Sequence, residues 1–402
     1  MGGAELVNRV LRLGLVVVLA RMLTPYDYGL AAIVLTVNEF TTVFSLKAGI
    51  TYKLIQADEA EIAELSETAY WLSWILCGFF FIAQCLLSFP IAWFYNDTAL
   101  VLPICVMAVT YLILPTFSIQ EALIQRENRL NILALCNITQ SFIGSTLTVI
   151  FALMGFGMWA IVLPMLLILP AWYFITLSNH PWRPHRTFSL HRWRELARFA
   201  FDILGVELLT KLRANLDYLL VGRFLGLEAL GFYFFAFNAG LGISLNIITA
   251  LTRSLYPHLC EVQTHLQQLS ERYSHGLRTI AKIIIPFVLL QSGLAPFYVP
   301  LVHGEKWIAA IPILILICLS AIPRPFSEAA SMLLQAVDKT RISLYWNLGF
   351  TIIFSLALVV VVPFGIFWVA MTVLISHFLI LPIFTVWTNQ YVFKRIKFSE
   401  VN

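Results

Sequence analysis

The chain has 402 residues, 60 per cent of them apolar and 12 per cent charged, with a mean hydropathy of +0.84 and a formal net charge of +4. Soluble domains carry about 25 per cent charged residues, so a water-soluble enzyme is excluded and lipid is the solvent for most of this chain. The six cysteines form no C-x-x-C pair and the eight histidines show no metal spacing; packing is the expected role of the cysteines, and no metal or cofactor is expected.

An unpaired backbone amide in hydrocarbon costs several kcal/mol, so runs of about 20 apolar residues read as spanning helices. Twelve are predicted, near 3–23, 28–46, 68–90, 99–119, 132–154, 157–178, 199–222, 229–252, 277–300, 307–333, 342–362 and 364–388. Arg9 and Arg12 lie within the first run rather than before it, which makes it a span and not a signal peptide. Leu6 removes the myristoylation pattern that Met1-Gly2 would open. After this span, Pro25 and Asp27 form an elbow, and Gly29 is expected to allow a close turn into the second helix.

The central stretch 179–198 is the most polar connection. Its arginines and tryptophans fit either a solvated linker or a helix on the inner leaflet with Trp182 and Trp193 at headgroup level. Basic residues set the orientation. With both termini cytoplasmic, Lys47, Lys53, Arg126, Arg129, Arg183, Arg186, Arg192, Arg194, Arg198, Arg253, Arg272, Arg278, Lys339, Arg341, Lys394, Arg395 and Lys397 fall inside, against Arg21, Arg223 and Lys306 outside. The positive charge therefore follows topology, and no nucleic-acid partner is implied.

The two halves repeat. Ala20-Arg21-Met22-Leu23 with Gly29 is answered by Gly222-Arg223-Phe224-Leu225 with Gly231 at an offset of 202, a register that also aligns Glu5 with Glu207 and Arg9 with Lys211. Pro115 to Gln125 with Asn128-Arg129 is answered at an offset of 210 by Pro325 to Gln335 with Asp338-Lys339. Such repeats in an apolar chain are the mark of pseudo-symmetric transporters. The expected organisation is an N-terminal six-helix lobe (1–180), a basic linker (181–198), a C-terminal six-helix lobe (199–390) and a basic tail (391–402).

Ionisable groups inside spans are costly and normally face protein or water. Arg12 falls near mid-membrane on the first span and Arg9 a turn lower, and Lys211 and Arg213 fall at matching depth on the seventh. Glu5 with Arg9, Glu207 with Lys211, and Asp217 with Arg213 are four apart, so each could pair along one helix face. Such pairs lower the cost of insertion and need do nothing more. Arg12 has no acidic residue four away, so the group is also expected to leave a cationic surplus suited to a phosphate or pyrophosphate. Glu39 with Lys47, and Arg324 with Glu328, are expected to pair internally, while Arg21 and Arg223 are expected to snorkel. There is no D-x-D triplet, Walker-type loop or H-E-x-x-H. Gly240-Leu241-Gly242 reads as helix packing, so no catalytic residues are expected.

Leu19-Ala20-Arg21-Met22-Leu23-Thr24-Pro25-Tyr26-Asp27-Tyr28-Gly29-Leu30 resembles the first-hairpin signature of the polysaccharide transporter family, the Wzx-type flippases of the multidrug/oligosaccharidyl-lipid/polysaccharide (MOP) exporter superfamily. Asn215 to Gly226 resembles that family's seventh-helix segment. The resemblance implies an all-α integral membrane protein with about twelve spans in two pseudo-symmetric lobes, similar to MATE transporters and MurJ. It further implies a non-enzymatic flippase in the bacterial inner membrane that moves undecaprenyl-pyrophosphate-linked repeat units for O-antigen, capsule or exopolysaccharide. The implied partners are membrane lipid, the lipid-linked oligosaccharide, and polymerase and export machinery. Arg9, Arg12, Lys211 and Arg213 are where the family's cavity cations would fall. Family members usually begin further upstream, with a basic amphipathic stretch. The alternatives are a drug or metabolite antiporter of the same superfamily, with a carboxylate-rich cavity, and a membrane polymerase or glycosyltransferase.

Overall fold

In the computed structural model, the described residues are 14–185, 188–242, 244, 248, 252, 255–256, 258–262 and 265–395. Glu5, Arg9 and Arg12 lie outside them. By contacts the chain divides into two units, Met1–Gly231 and Phe232–Asn402.

The first unit opens with α1 (14–22) and α2 (Pro25–Phe44). Thr24 caps α2: its Oγ1 accepts the Asp27 N–H, while Asp27 accepts the Thr24 N–H at 2.9 Å, and Pro25 occupies the first turn. This reciprocal box satisfies two amide donors that the helix start would otherwise leave unpaired. The predicted second span continues past its expected end. It breaks at Leu46, which takes the left-handed conformation (φ 58°), and resumes as α3 (Lys47–Gln56). Neither Gly nor Pro marks this break, which turns Lys47 onto the first residue of a new helix.

The third span is α4 (Ile62–Tyr95). The fourth is bent by 55° between residues 98–113, which contain α5 (Val101–Ala108) and α6 (Thr110–Ile113), and α7 (Pro115–Arg126). Then come α8 (Leu130–Leu153), the fifth span, and α9 (Trp159–Leu167) with α10 (Leu169–Asn179), the sixth. Residues 188–192, with 180–185, contain no helix, and α11 (Trp193–Leu225) carries the seventh expected span, 199–222. Two close backbone approaches pack the unit. A Cβ on Gly49 of α3 would fall 2.4 Å from the Ala200 Cα. The second approach involves α12 (Leu227–Ala236): a Cβ on Gly29 would lie 1.9 Å from the Leu227 carbonyl oxygen, and one on Gly231 would lie 1.7 Å from the Pro25 carbonyl oxygen. The four positions match in pairs at the 202-residue offset, so each repeat contributes a glycine and the backbone that the other glycine admits. Gly29 sits inside α2 without a positive φ. Its smallness thus serves a backbone crossing, not the turn expected for it.

In the second unit, Leu266–Tyr298, Arg324–Ala336, Thr340–Val361 and Ile366–Gln390 are the long helices. Its core stacks Trp307 on Phe235 at 4.0 Å. Gly240 admits the Cys318 side chain, whose Sγ would be 2.7 Å from an added Cβ, and the Gln291 amide donates to the Gly240 carbonyl at 2.8 Å. The G-x-G is therefore a packing device. The 210-residue repeat is also visible. Asn128 (φ 55°) and Asp338 (φ 57°) both end their helices left-handed. The Arg129 and Lys339 amides then return to the Ile124 and Leu334 carbonyls at 3.1 and 2.7 Å, which caps otherwise orphaned acceptors.

Among the described residues, eight helices are long and apolar enough to span, and the bent fourth span makes nine. With α1, α11 and the short apolar helix Leu227–Leu241, the chain is an all-α protein of about twelve spans, as expected.

Candidate functional site

α2, α3, α7 and α11 enclose a cleft of about 340 Å³ in the first unit, lined among others by Asn38, Glu39, Lys47, Glu121, Glu207 and Lys211. Lys211 lies four turns, about 22 Å, from the Gly226 end of α11, well inside the span. Its ammonium donates to Glu39 at 3.0 Å, and Asn215, one turn further, donates to the same oxygen at 3.2 Å. Thr36, 3.5 Å from the Asn215 Oδ1, orients that amide. Lys47 pairs with Glu121 at 2.9 Å.

These partners differ from the expected ones. Glu39 and Lys47 do not pair with each other; each reaches another helix, because the Leu46 break rotates Lys47 off the α2 register. Glu207 lines the cleft one turn from Lys211, yet the carboxylate that holds the ammonium is Glu39. Arg213 lies two positions on, about 200° around the helix from Lys211, and is not among the lining residues. Asp217 is buried. Among the described residues the cleft sets three carboxylates against two lysines; any cationic surplus would have to include Arg9 and Arg12. The Lys211 and Glu39 side chains are 40% and 44% exposed. A pair so hydrated is worth about 1 kcal/mol or less, whereas a hydrogen bond to a charged group contributes about 1.5–3 kcal/mol. The lysine can therefore change partners at little cost.

The end of the unit nearer the 180–192 segment is braced by charge. Arg126 donates to the carbonyls of Leu54, Ile55 and Ala57, closing the end of α3, and reaches Glu59 at 3.0 Å. Glu195 accepts from Lys53 at 2.7 Å and Arg192 at 2.6 Å. The Lys53 hydrogen bond, with Arg192 acting against partial burial, holds the Glu195 carboxyl below the usual carboxylate range. Residues 180–185 contain no helix and are held by two contacts: His185 meets Glu67 at 2.7 Å and His180 meets Glu127 at 3.2 Å. Trp182 is half-buried and packs on Tyr70 at 6.0 Å, while Trp193 is exposed. At the other end Arg21 and Arg223 are exposed, and the Arg223 guanidinium sits 4.8 Å above Phe94. Asp27 ties the elbow to the fifth connection by accepting the Met158 N–H at 3.2 Å, beside Gly157.

About twelve spans, a repeat between the two halves and a charged cleft in the first unit define an all-α integral membrane protein. The fold is similar to that of the lipid II flippase MurJ in an inward closed conformation (TM-score 0.77, 12% identity, 97% of this chain and 87% of that one). Residues 18–312 match the family described as "Polysaccharide biosynthesis protein", and the chain belongs to that family. Related sequences include the teichuronic acid biosynthesis protein TuaB of Bacillus subtilis (strain 168), 27% identical over 84% of this chain and 72% of that protein. The lipopolysaccharide biosynthesis protein WzxC of Escherichia coli (strain K12) is 27% identical over 87% of this chain and 72% of its own.

Proposed function

We propose that this membrane protein is a flippase that carries undecaprenyl-pyrophosphate-linked oligosaccharide units across the bacterial inner membrane by alternating access between two six-helix lobes, with both termini cytoplasmic. The observation that carries the reading is Lys211, an ammonium deep in a span, held by a half-exposed Glu39. Lys211, with Arg9 and Arg12 of the first span, forms the proposed cation set for the pyrophosphate; Arg213, on another side of α11, is left out of it. The glycan occupies the aqueous cleft and the polyprenyl tail stays in lipid, so no covalent step is needed. Polymerase and export machinery downstream would receive the flipped unit. The names of TuaB and WzxC, each tied to a different surface polysaccharide, support the substrate class.

Proteoliposomes loaded with labelled lipid-linked oligosaccharide test this: wild type moves it across, and Lys211→Ala slows crossing about tenfold or more. Full transport by that variant would overturn the site. One observation favours a second reading, an antiporter of organic cations: Glu39, Glu121 and Glu207 outnumber the cleft lysines. Micromolar binding of a cationic drug, insensitive to polyprenyl pyrophosphate, would establish it.

A further inference from the structure

In the second unit the helix Leu266–Tyr298 carries the ninth expected span, 277–300. Tyr273, Ile280, Ile284 and Val288 form its buried side, at the spacing of one helical face. Arg278 and Lys282 stand one turn apart on the opposite side, and both are exposed. Lys282 lies about 8 Å along the helix from the start of the expected span. A charge at that depth is costly unless it meets protein, water or a counter-charge. Along this helix the one ion pair among the described residues joins Arg272 to Glu261 at 2.7 Å. The next carboxylate on the Arg278 side is Glu271, two turns or about 11 Å away, and it accepts from the Gln267 amide at 3.4 Å. Past Lys282 the exposed side turns apolar: Leu289 follows two turns on, with Ile283, Leu290 and Leu294 exposed beside it. The first half supplies a comparison. α4 also holds a proline near its end, Pro90 answering Pro296, yet has no lysine or arginine anywhere in Ile62–Tyr95. A helix at this place in the repeat therefore inserts without cations, and Arg278 and Lys282 call for another explanation.

We propose that this face binds an anionic glycerophospholipid, with Arg278 and Lys282 on its phosphate and its acyl chains along Leu289 and Leu290. On the proposed orientation the lipid belongs to the inner leaflet, and the inference does not depend on what the protein carries. The order of the stripe identifies the occupant. It must be anionic at Arg278 and Lys282 and apolar two turns deeper, within the span; a free phosphate or an acidic peptide meets only the first condition. The four-carbon stem of Lys282 lets its ammonium extend to the headgroup layer instead of staying in hydrocarbon. Arg278, one turn nearer the surface, presents a planar fork of N–H donors that fits two phosphate oxygens. Two cations at one headgroup favour an anionic lipid over a zwitterionic one, whose own positive group opposes them.

The test uses the full-length protein in detergent micelles with limiting, equal amounts of phosphatidylglycerol and phosphatidylcholine of the same acyl chains, and reads the first lipid retained by mass spectrometry of the intact complex. Each cation near a headgroup favours the anionic lipid by about fivefold, so wild type is expected to retain phosphatidylglycerol with a preference of about 25-fold. Arg278→Gln and Lys282→Gln each leave about fivefold, and the double variant leaves almost none. Lys282→Arg keeps the charge and retains the wild-type preference, which separates loss of charge from loss of packing. Arg194→Gln with Arg198→Gln removes two exposed cations from α11 instead and leaves the preference unchanged. Absence of a preference in wild type, its survival in the Arg278 and Lys282 double variant, or an equal loss in the α11 control overturns the site.

Discussion

Gly29→Ala places a methyl carbon 1.9 Å from the carbonyl oxygen of Leu227, and Gly231→Ala places one 1.7 Å from that of Pro25. An ordinary contact needs more than 3 Å, so α2 and α12 must separate by over an ångström at their crossing. Backbone carbonyls cannot rotate aside as a flexible side chain would. Overpacking of this kind costs about 1–3 kcal/mol, and the intrinsic gain of alanine over glycine in a helix returns only about 1 kcal/mol. Each substitution is therefore expected to be net destabilising by up to about 2 kcal/mol. The two act at one crossing: once the helices have parted for the first methyl, the second meets less resistance, and the double variant loses less than the sum of the singles. Gly205→Ala is the internal control, because nothing lies within 4 Å of its added Cβ and it sits exposed on α11; it should be neutral or slightly stabilising. Thermal unfolding of the purified protein in one detergent compares the four. A Gly29→Ala protein as stable as Gly205→Ala, or strictly additive losses, would refute the shared crossing.

Removing Arg126 leaves three carbonyls at the end of α3 without their cap, so Arg126→Ala is expected to lower stability by about 1.5–3 kcal/mol, read as a lower apparent Tm and faster proteolysis after Gln56. Glu195 has a lowered pKa in the folded protein; its contribution is present above the unfolded carboxylate range and is lost as pH falls through the folded value. Because the side chain is one-third exposed, the effect is below about 1 kcal/mol. The Tm gap between wild type and Glu195→Gln should accordingly close on acidification below about pH 4; a gap that widens there contradicts the sign. Glu39→Gln releases Lys211 from its counter-charge and is expected to tighten binding of polyprenyl pyrophosphate several-fold, whereas Lys211→Ala weakens it. Equal effects in the same direction would show the pair to be purely structural.

The membrane character, the number of spans and the repeat follow from composition and spacing, because lipid demands long apolar helices and a repeated fold reuses the same punctuation. The left-handed caps at Asn128 and Asp338 and the capping box at Thr24 are local devices, and local devices can be read along the chain. Partner choice is different in kind. A spacing of four places Glu207 on the same face as Lys211, but it does not say which helix brings a competing carboxylate to 3.0 Å; that depends on how α11 seats through Ala200 on Gly49. Lys47 escaped its expected pairing with Glu39 because a break at Leu46, with no glycine or proline to announce it, turns it toward Glu121. Trp172 and Gln140, 32 positions apart, meet at 2.9 Å only because helix packing sets α10 beside α8. Local geometry and the lipid solvent thus specify the helices and their ends from residues alone. Which side chains share a cavity is decided by long-range packing, where single glycines determine how closely two backbones approach.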